Sequence, residues 1–492
     1  MPAPADLVRQ TTADTGTGNL ALSNANGYKA FATAFPAGTA NEFDYYISNR
    51  NAAEYERGTG HVTGGALVRD TVIESTNANA LVNFSAGTKD VMNDVPAAKQ
   101  YWAGGTDVAV ADGGTGASTA QAARANLSAA SFDAGAALGL LTNPFFEISQ
   151  ENGTTAGAAA SAYYPADQWY ALESSGAVLS VQNVADPFSS TATLKRLKSS
   201  IKATATTADG TISAAEYIQP AVQVIEGTFW RSLGWGGGDA RAVDIVIIAM
   251  CSVTGTYPVA ITNAAGNRAY CTTISLTANT PTVCFVTIPG DTGGTWVTTN
   301  AASAKLFIGS VGGSDYQVSS LNAWEATDNF SHSTCTNWAA SGTTDFFQVA
   351  YAQVFPAGVL PFTSASQITG EALQLLLNMR RSYDAELLRC WRYYYATTIL
   401  PGAGSGLNTS SIARFTAGFP VRMRAAPTAS FNSSVGFYDG SAAVAFSSVG
   451  ANYTTEDFFQ GDINVTPSTL TVGRAVVSYD ATGALSKFSA RM

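Results

Sequence analysis

The sequence predicts an all-β, modular chain, and three observations carry that prediction. Short stretches of alternating apolar and polar residues recur throughout, bounded by Gly, Pro, Asn and Ser. Glycine fills 46 of the 492 positions, while charged residues make up only 13%, about half the usual share of a globular domain. A single long stretch, 371–395, has the period of a helix. The length allows about three domains, each able to bury its own core.

Taken in order, residues 1–102 predict a small β-sandwich or barrel. Its short strands are Leu20–Leu22, Tyr28–Phe31, Asp44–Ile47, Ala66–Val72 and Leu81–Phe84. Asn26-Gly27 and Gly64-Gly65 supply hairpin turns. Residues 103–142 predict a Gly-rich connector with a short helix. Gly104–Gly116 suits no packed element, and Ser118 with Gln121 forms a capping box ahead of Ala122, Ala123 and Leu127. That helix either packs closely against neighbours through its small residues or is a solvated link.

Residues 143–397 predict a jelly-roll domain with a closing helix. The strands are Ala242–Val253, Tyr257–Ile261, Thr272–Leu276, Val283–Ile288, Ala304–Ile308 and Asp345–Phe355. Many strands without intervening helices argue for two packed sheets. In Glu371–Tyr395, Leu373, Leu376, Leu377, Leu387, Leu388 and Trp391 make an apolar stripe. A break near Arg381-Ser382-Tyr383 starts a second helix, with Ser382 as its cap and Asp384 and Glu386 in its first turn. Residues 398–492 return to short strands, a C-terminal β module. No solenoid period occurs, which argues against a long β-helix.

The net charge of −10 excludes a general nucleic-acid binder, whose surface must neutralise phosphates. No run of about 20 apolar residues is present and the start has no signal-like layout, so neither membrane insertion nor export is expected. His61 and His332 stand far apart with no acidic or Cys residue at ligand spacing, and the five Cys include no C-x-x-C. An odd number of Cys reads as buried free thiols. With no G-x-S-x-G, Walker loop or H-E-x-x-H, the chain is not expected to be an enzyme.

Specific motifs add a resemblance. Ala111-Asp112-Gly113-Gly114-Thr115-Gly116-Ala117-Ser118-Thr119, followed by Ala123-Arg124-Ala125-Asn126-Leu127, closely resembles the connector of bacteriophage tail fibres. Tyr28–Phe31, Tyr55–Gly58, Arg69–Val72 and Ala86–Val91 resemble an N-terminal module of phage virion proteins. Asp167-Gln168-Trp169, Leu233–Gly236, Val286–Thr292 and Glu386–Tyr394 resemble a carbohydrate-binding-module-like jelly roll of phage tails. Phe419–Thr428 resembles the start of the β module that follows it. One departure is the extra Leu-rich stretch Thr363–Met379, either an added packing helix or a contact with another virion protein.

The resemblance implies a phage tail fibre or spike subunit made in the host bacterial cytoplasm and carried on the virion. It would be a homotrimer that docks on other tail or baseplate proteins through residues 1–102 and recognises a host surface glycan distally. The alternative is a purely architectural protein of baseplate or collar. A polysaccharide depolymerase is the enzymatic rival; Glu147, Asp167, Glu173, Asp239 and Glu325 offer carboxylates, but no pair at a telling spacing.

Sugar binding needs aromatic faces beside amide or carboxylate groups. Among Trp169, Tyr170, Trp230, Trp235, Trp296, Trp324 and Trp338, the expectation falls on Trp324 and Trp338, because Ser319–Thr344 is polar and loop-like. A structural calcium commonly accompanies such modules. Asp291 with Asp239 or Asp167 offers oxygen ligands, but the spacing is not diagnostic and a surface turn explains an aspartate better. No other cofactor is expected.

Overall fold

The alternating stretches pair into antiparallel sheets. The structure is a computed structural model that describes residues 5–23, 27–93, 114–117, 123, 127, 139–189, 191–397, 403–406, 412–431, 435–438, 443–465, 475–480 and 486–492. The chain divides into two units, Met1–Gly116 and Ala117–Met492, with the division inside the expected connector. Asn26 of the first expected turn, most of Gly104–Gly116 and the capping box Ser118–Gln121 lie outside the described residues.

In the first unit, β1 (Arg9–Thr12), β2 (Leu20–Ala21), β3 (Phe43–Asn49), β4 (Tyr55–Thr63), β5 (Ala66–Ser75) and β6 (Lys89–Asn93) form one sheet in the order β1-β6-β3-β4-β5-β2. A backbone pair between Thr11 and Ser23, at 2.8 and 3.2 Å, joins its two edges. The sheet therefore curls around Phe43, Tyr45, Ile47 and Leu67. Gly64-Gly65 turns β4 into β5 with φ of 61° and 79°, a conformation that favours glycine. Two expected strands differ. Phe31 begins the helical turn α1 (Phe31–Ala34), and Leu81–Phe84 contributes one isolated bridge while Val82 and Phe84 plug the core. Inside, Arg69 and Glu56 form a buried ion pair at 3.0 Å, and Tyr45 Oη and Val82 N also donate to Glu56.

In the second unit two sheets stack face to face. Their strands are β7 (Gly157–Ala158), β8 (Tyr163–Ala166), β9 (Trp169–Ser174), β10 (Val178–Ala185), β11 (Ser199–Thr207), β12 (Tyr217–Glu226), β13 (Val243–Cys251), β14 (Gly255–Asn263), β15 (Ala269–Leu276), β16 (Thr282–Ile288), β17 (Ala302–Ile308), β18 (Val311–Gly312), β19 (Trp324–Glu325) and β20 (Phe346–Pro356). One sheet runs β16-β13-β20-β11-β10-β7. The other runs β19-β15-β14-β17-β12-β9-β8, with β18 beside β12. This is an all-β fold, as predicted. Its core holds Trp169, Val181, Ile201, Ile245, Ile247, Tyr257, Leu306 and Val349.

The first sheet is covered on both faces at β13 and β20, which explains the unbroken apolar run of β13. Ile245 and Ile247 point into the core; Val246 and Ile248 point outward beneath Leu373, Leu376 and Leu377. Those leucines lie on α3 (Gly370–Asn378), in the Leu-rich stretch whose role the sequence left open. The stretch is a packing helix. A one-turn helix, α2 (Gly227–Trp230), precedes it in the chain. After the expected break, α4 (Tyr383–Trp391) starts at Ser382, whose side chain accepts from Ala385 N. Glu386 on α4 accepts from Asn143 N at 2.7 Å, while Arg381 and Arg389 donate to the Gly139 and Leu140 carbonyls. The segment leading into the sandwich is thereby fixed against the helices.

The expected boundary at 397/398 falls at the end of a strand, β21 (Tyr394–Thr397). This strand pairs not with the sandwich but with β29 (Ser486–Ser489), which also pairs β24 (Thr428–Ser430). Beyond it, β22 (Ala403–Gly406), β23 (Ile412–Gly418), β25 (Val435–Tyr438), β26 (Ala443–Thr454), β27 (Phe458–Val465) and β28 (Ala475–Asp480) close a barrel in the order β22-β23-β27-β26-β25-β28. Arg491 ties this module to the sandwich: its guanidinium lies 3.8 Å from the Tyr164 ring and 4.0 Å from the Tyr394 ring, and it pairs with Glu151.

Candidate functional site

The outer face of the second sheet is only partly covered, and there the alternation of its strands matters. On β9, Trp169 and Ala171 enter the core, so Tyr170 and Leu172 face out. On β12, Ile218 and Ala221 enter, so Tyr217 and Gln219 face out, with an irregularity in pairing just beyond Gln219. On β17, Leu306 and Ile308 enter, so Lys305 and Phe307 face out. The loop after β18 folds back over part of this face and buries Phe307 and Phe330, stacked 4.7 Å apart, together with Val318.

What stays open is a groove of about 250 Å³, lined by Tyr170, Tyr217, Gln219, Lys305, Tyr316 and Asp328 among others. Tyr217 meets Tyr316 edge-on at 5.1 Å, so the two rings fix each other at one end. Burial pushes the phenols of Tyr170 and Tyr217 up, so both remain neutral donors. Gln219 is only 6% exposed; its amide makes no hydrogen bond among the described residues, and its nitrogen and oxygen are not fully enclosed, so the amide still reaches the groove. Lys305 is half-buried and has no ion-pair partner among them. An amide that still reaches the groove and a half-buried ammonium, neither of them paired among the described residues, are groups that a ligand can engage.

The expected tryptophans lie elsewhere. Trp338 is 0% exposed; it packs beside Phe347 in the core and donates from Nε1 to the Gly309 carbonyl at 3.2 Å. Its expected exposure is corrected, because the loop around it is polar while the indole itself turns inward. Trp324 is half-buried at the end of the sandwich, 5.2 Å from Trp235, 5.8 Å from Trp296 and 5.3 Å from Tyr270. Its Nε1 donates to the Pro289 carbonyl, and it does not line the sheet groove. Trp230, Trp235 and Trp296 border a separate cleft of about 280 Å³. The Nε1 groups of Trp235 and Trp296 are held by the Arg241 carbonyl and by Asp291.

Asp291, expected as an oxygen ligand for a metal, is held by partners within the chain. Its carboxylate accepts from Arg268 Nε at 2.8 Å, from Arg268 Nη2, from Trp296 Nε1 at 3.0 Å and from Gly293 N at 3.1 Å. Burial pushes its carboxyl up, but those hydrogen bonds, led by Arg268, outweigh burial and hold it below the ordinary range. A guanidinium already engages both oxygens of this carboxylate, and Asp239 lies on an exposed turn. Among the described residues no three His, Cys, Asp or Glu side chains form a metal-binding group.

The remaining candidate carboxylates are dispersed. Glu147 pairs with Arg380, Asp167 accepts from Gln150, and Glu325 accepts from Ser319 and Ser320. His61 faces Asp70 at 2.7 Å, and His332 faces Thr334. All five cysteines are free; four are buried and Cys335 is half-buried. Of the groove residues, sequence reasoning weighed only Tyr170. Tyr217-x-Gln219 and Lys305-x-Phe307 carried a usable signal: aromatic or polar side chains alternating with inward Ile218 and Leu306.

No family model matches the chain, and no curated protein matches it. Several solved structures resemble it. The CBM22-1–GH10 modules of a Clostridium thermocellum endo-1,4-β-D-xylanase, complexed with xylohexaose, share 11% identity over 39% of this chain and 26% of that one, with a TM-score of 0.21. The chain thus spans about a quarter of that protein's length. The module TmCBM61 in complex with β-1,4-galactotriose shares 12% identity over 44% of this chain and 98% of its own, with a TM-score of 0.23. A family 11 carbohydrate-binding module from Clostridium thermocellum shares 10% identity over 40% and 92%, with a TM-score of 0.21. At such TM-scores the similarities carry no argument about function, which rests on the groove itself.

Proposed function

We propose that the sandwich is a glycan-binding module and that the groove on its open sheet is the binding site, in a homotrimeric phage tail-fibre or spike subunit. One observation carries the glycan reading. Tyr170, Tyr217 and Tyr316 surround an amide and an ammonium that have no partners among the described residues. Sugars present apolar C–H faces to aromatic rings and hydroxyls to amides, so this arrangement suits them. The virion setting rests on the connector and module motifs of the sequence. Recognition would place host attachment in residues 143–397 and docking in residues 1–102.

The full-length chain on a glycan array, followed by calorimetry with the best ligand, tests the site. Wild-type protein binds at least one oligosaccharide; Tyr217→Ala and Gln219→Ala each weaken binding by about tenfold or more, measured at a temperature where both variants remain folded. If no glycan binds while the chain still attaches to tail or baseplate proteins, the architectural alternative holds.

A further inference from the structure

Resting on the groove reading above, we infer that the ligand is an acidic oligosaccharide, with a carboxylate-bearing sugar held at Lys305 and a neutral stretch running toward Tyr217. Strand register sets the layout. Lys305 on β17 stands opposite Val224 on β12 and Thr262 on β14. One step along, Tyr170, Val222, Phe307 and Ala260 form a row across four strands. Further along β12 come Gln219 and Tyr217. From the level of Val224 to Gln219 is about 15 Å of strand; the groove has Lys305 at one end, Tyr170 beside the buried Phe307 at its middle, with Val222 and Ala260 enclosed beneath, and Gln219 with Tyr217 at the other end. A single sugar does not span it.

Among the described residues no carboxylate is paired with the ammonium at the first end. The chain carries 36 acidic and 26 basic residues, and among the described arginines Arg9, Arg69, Arg268 and Arg392 are each paired with a carboxylate. Lys305 is not, although it rises from the floor of a sheet. Asp328 lies at the same end beside the Gly266 hairpin, but it is exposed and makes no ion pair. A neutral sugar would cover the ammonium without balancing it; a carboxylate replaces lost water with a charge-assisted hydrogen bond. Asp328, solvated at the rim, is left to accept sugar hydroxyls.

The test uses the full-length chain with oligogalacturonate, a hyaluronan oligosaccharide and sialyllactose, each beside its carboxyl-reduced counterpart. The expected result is binding of at least one acidic probe on the order of 10- to 100-fold tighter than its reduced form, weakening as salt rises. Lys305→Gln should erase that difference yet keep the weaker affinity for the reduced probe, which also shows that the variant is folded. Tyr217→Ala should lose both. Equal binding of acidic and reduced forms, or a preference that survives Lys305→Gln, overturns the acidic-ligand inference; continued loss in Tyr217→Ala then leaves the groove reading standing. No binding of any probe also overturns the inference, and the glycan array decides separately whether the groove reading falls with it.

Discussion

Asp167 is a carboxylate whose surroundings disfavour its charge. It is 1% exposed, and its acceptors meet only the backbone and side-chain N–H groups of Gln150. Burial pushes its carboxyl up to about 6, against the hydrogen bonds from Gln150 that favour ionisation. The sign follows from linkage. A carboxyl whose pKa is higher folded than unfolded stabilises fully below the unfolded value near 3.8, and that contribution fades as pH rises through about 6. Glu226 is the opposite case: burial raises it, but Arg392, Thr228 and Tyr393 outweigh burial and hold it low. Its contribution is present above the ordinary carboxylate range and lost on acidification. Urea unfolding of wild type and Asp167→Asn between pH 4 and pH 7 separates the two groups. The wild-type advantage over the variant should be larger at pH 4 than at pH 7, and a difference constant across that range would refute the buried-carboxyl account.

The helices show how an element acquires its place. α3 has too few residues to be stable alone; it exists because Leu373, Leu376 and Leu377 cover the outward side chains of β13 and β20. Leu376→Ala should therefore cost about 2–5 kcal/mol by leaving a cavity, and Ser382→Ala about 1 kcal/mol by removing the cap of α4, both read from denaturant midpoints of the full chain. Both helices, their break and the Ser382 cap were legible in the sequence, since spacing and capping are local. So were β13 to β17 and β20, whose apolar residues are dense. β11 is hard to read because small and polar residues in Ser199–Thr207 dilute its alternation, β9 because Trp169–Ser174 is short, and β12 because Pro220 interrupts Tyr217–Glu226. The groove was lost with them, because two of its strands are β9 and β12. Trp338 misled for a related reason: local polarity reports the exposure of a loop, not the direction of one ring within it.

At the scale of the whole molecule, the sandwich leaves two strand edges open on one side. Among the described residues β16 pairs only with β13, and β15 meets β19 only at Ala269 and Tyr270, so Thr272–Leu276 has no strand neighbour there beyond β14. Between these edges lies a cleft of about 250 Å³ lined by Thr273, Ser275, Thr282 and Phe285 among others. No lysine or arginine lines it, although edge lysines are a common guard against unwanted pairing. Open edges in a chain with so few charges are best covered by another copy, and symmetric closure would cover all of them at once. Light scattering at micromolar concentration should accordingly give three times the 50.9 kDa of one chain, where a single-chain mass would remove the homotrimer from the proposal. Placing lysines at Thr273 and Ser275 then asks whether this side forms the contact. Loss of the trimer with glycan binding retained assigns the interface to the β15–β16 edge, because the groove lies on the open face of the sheet and does not include these residues.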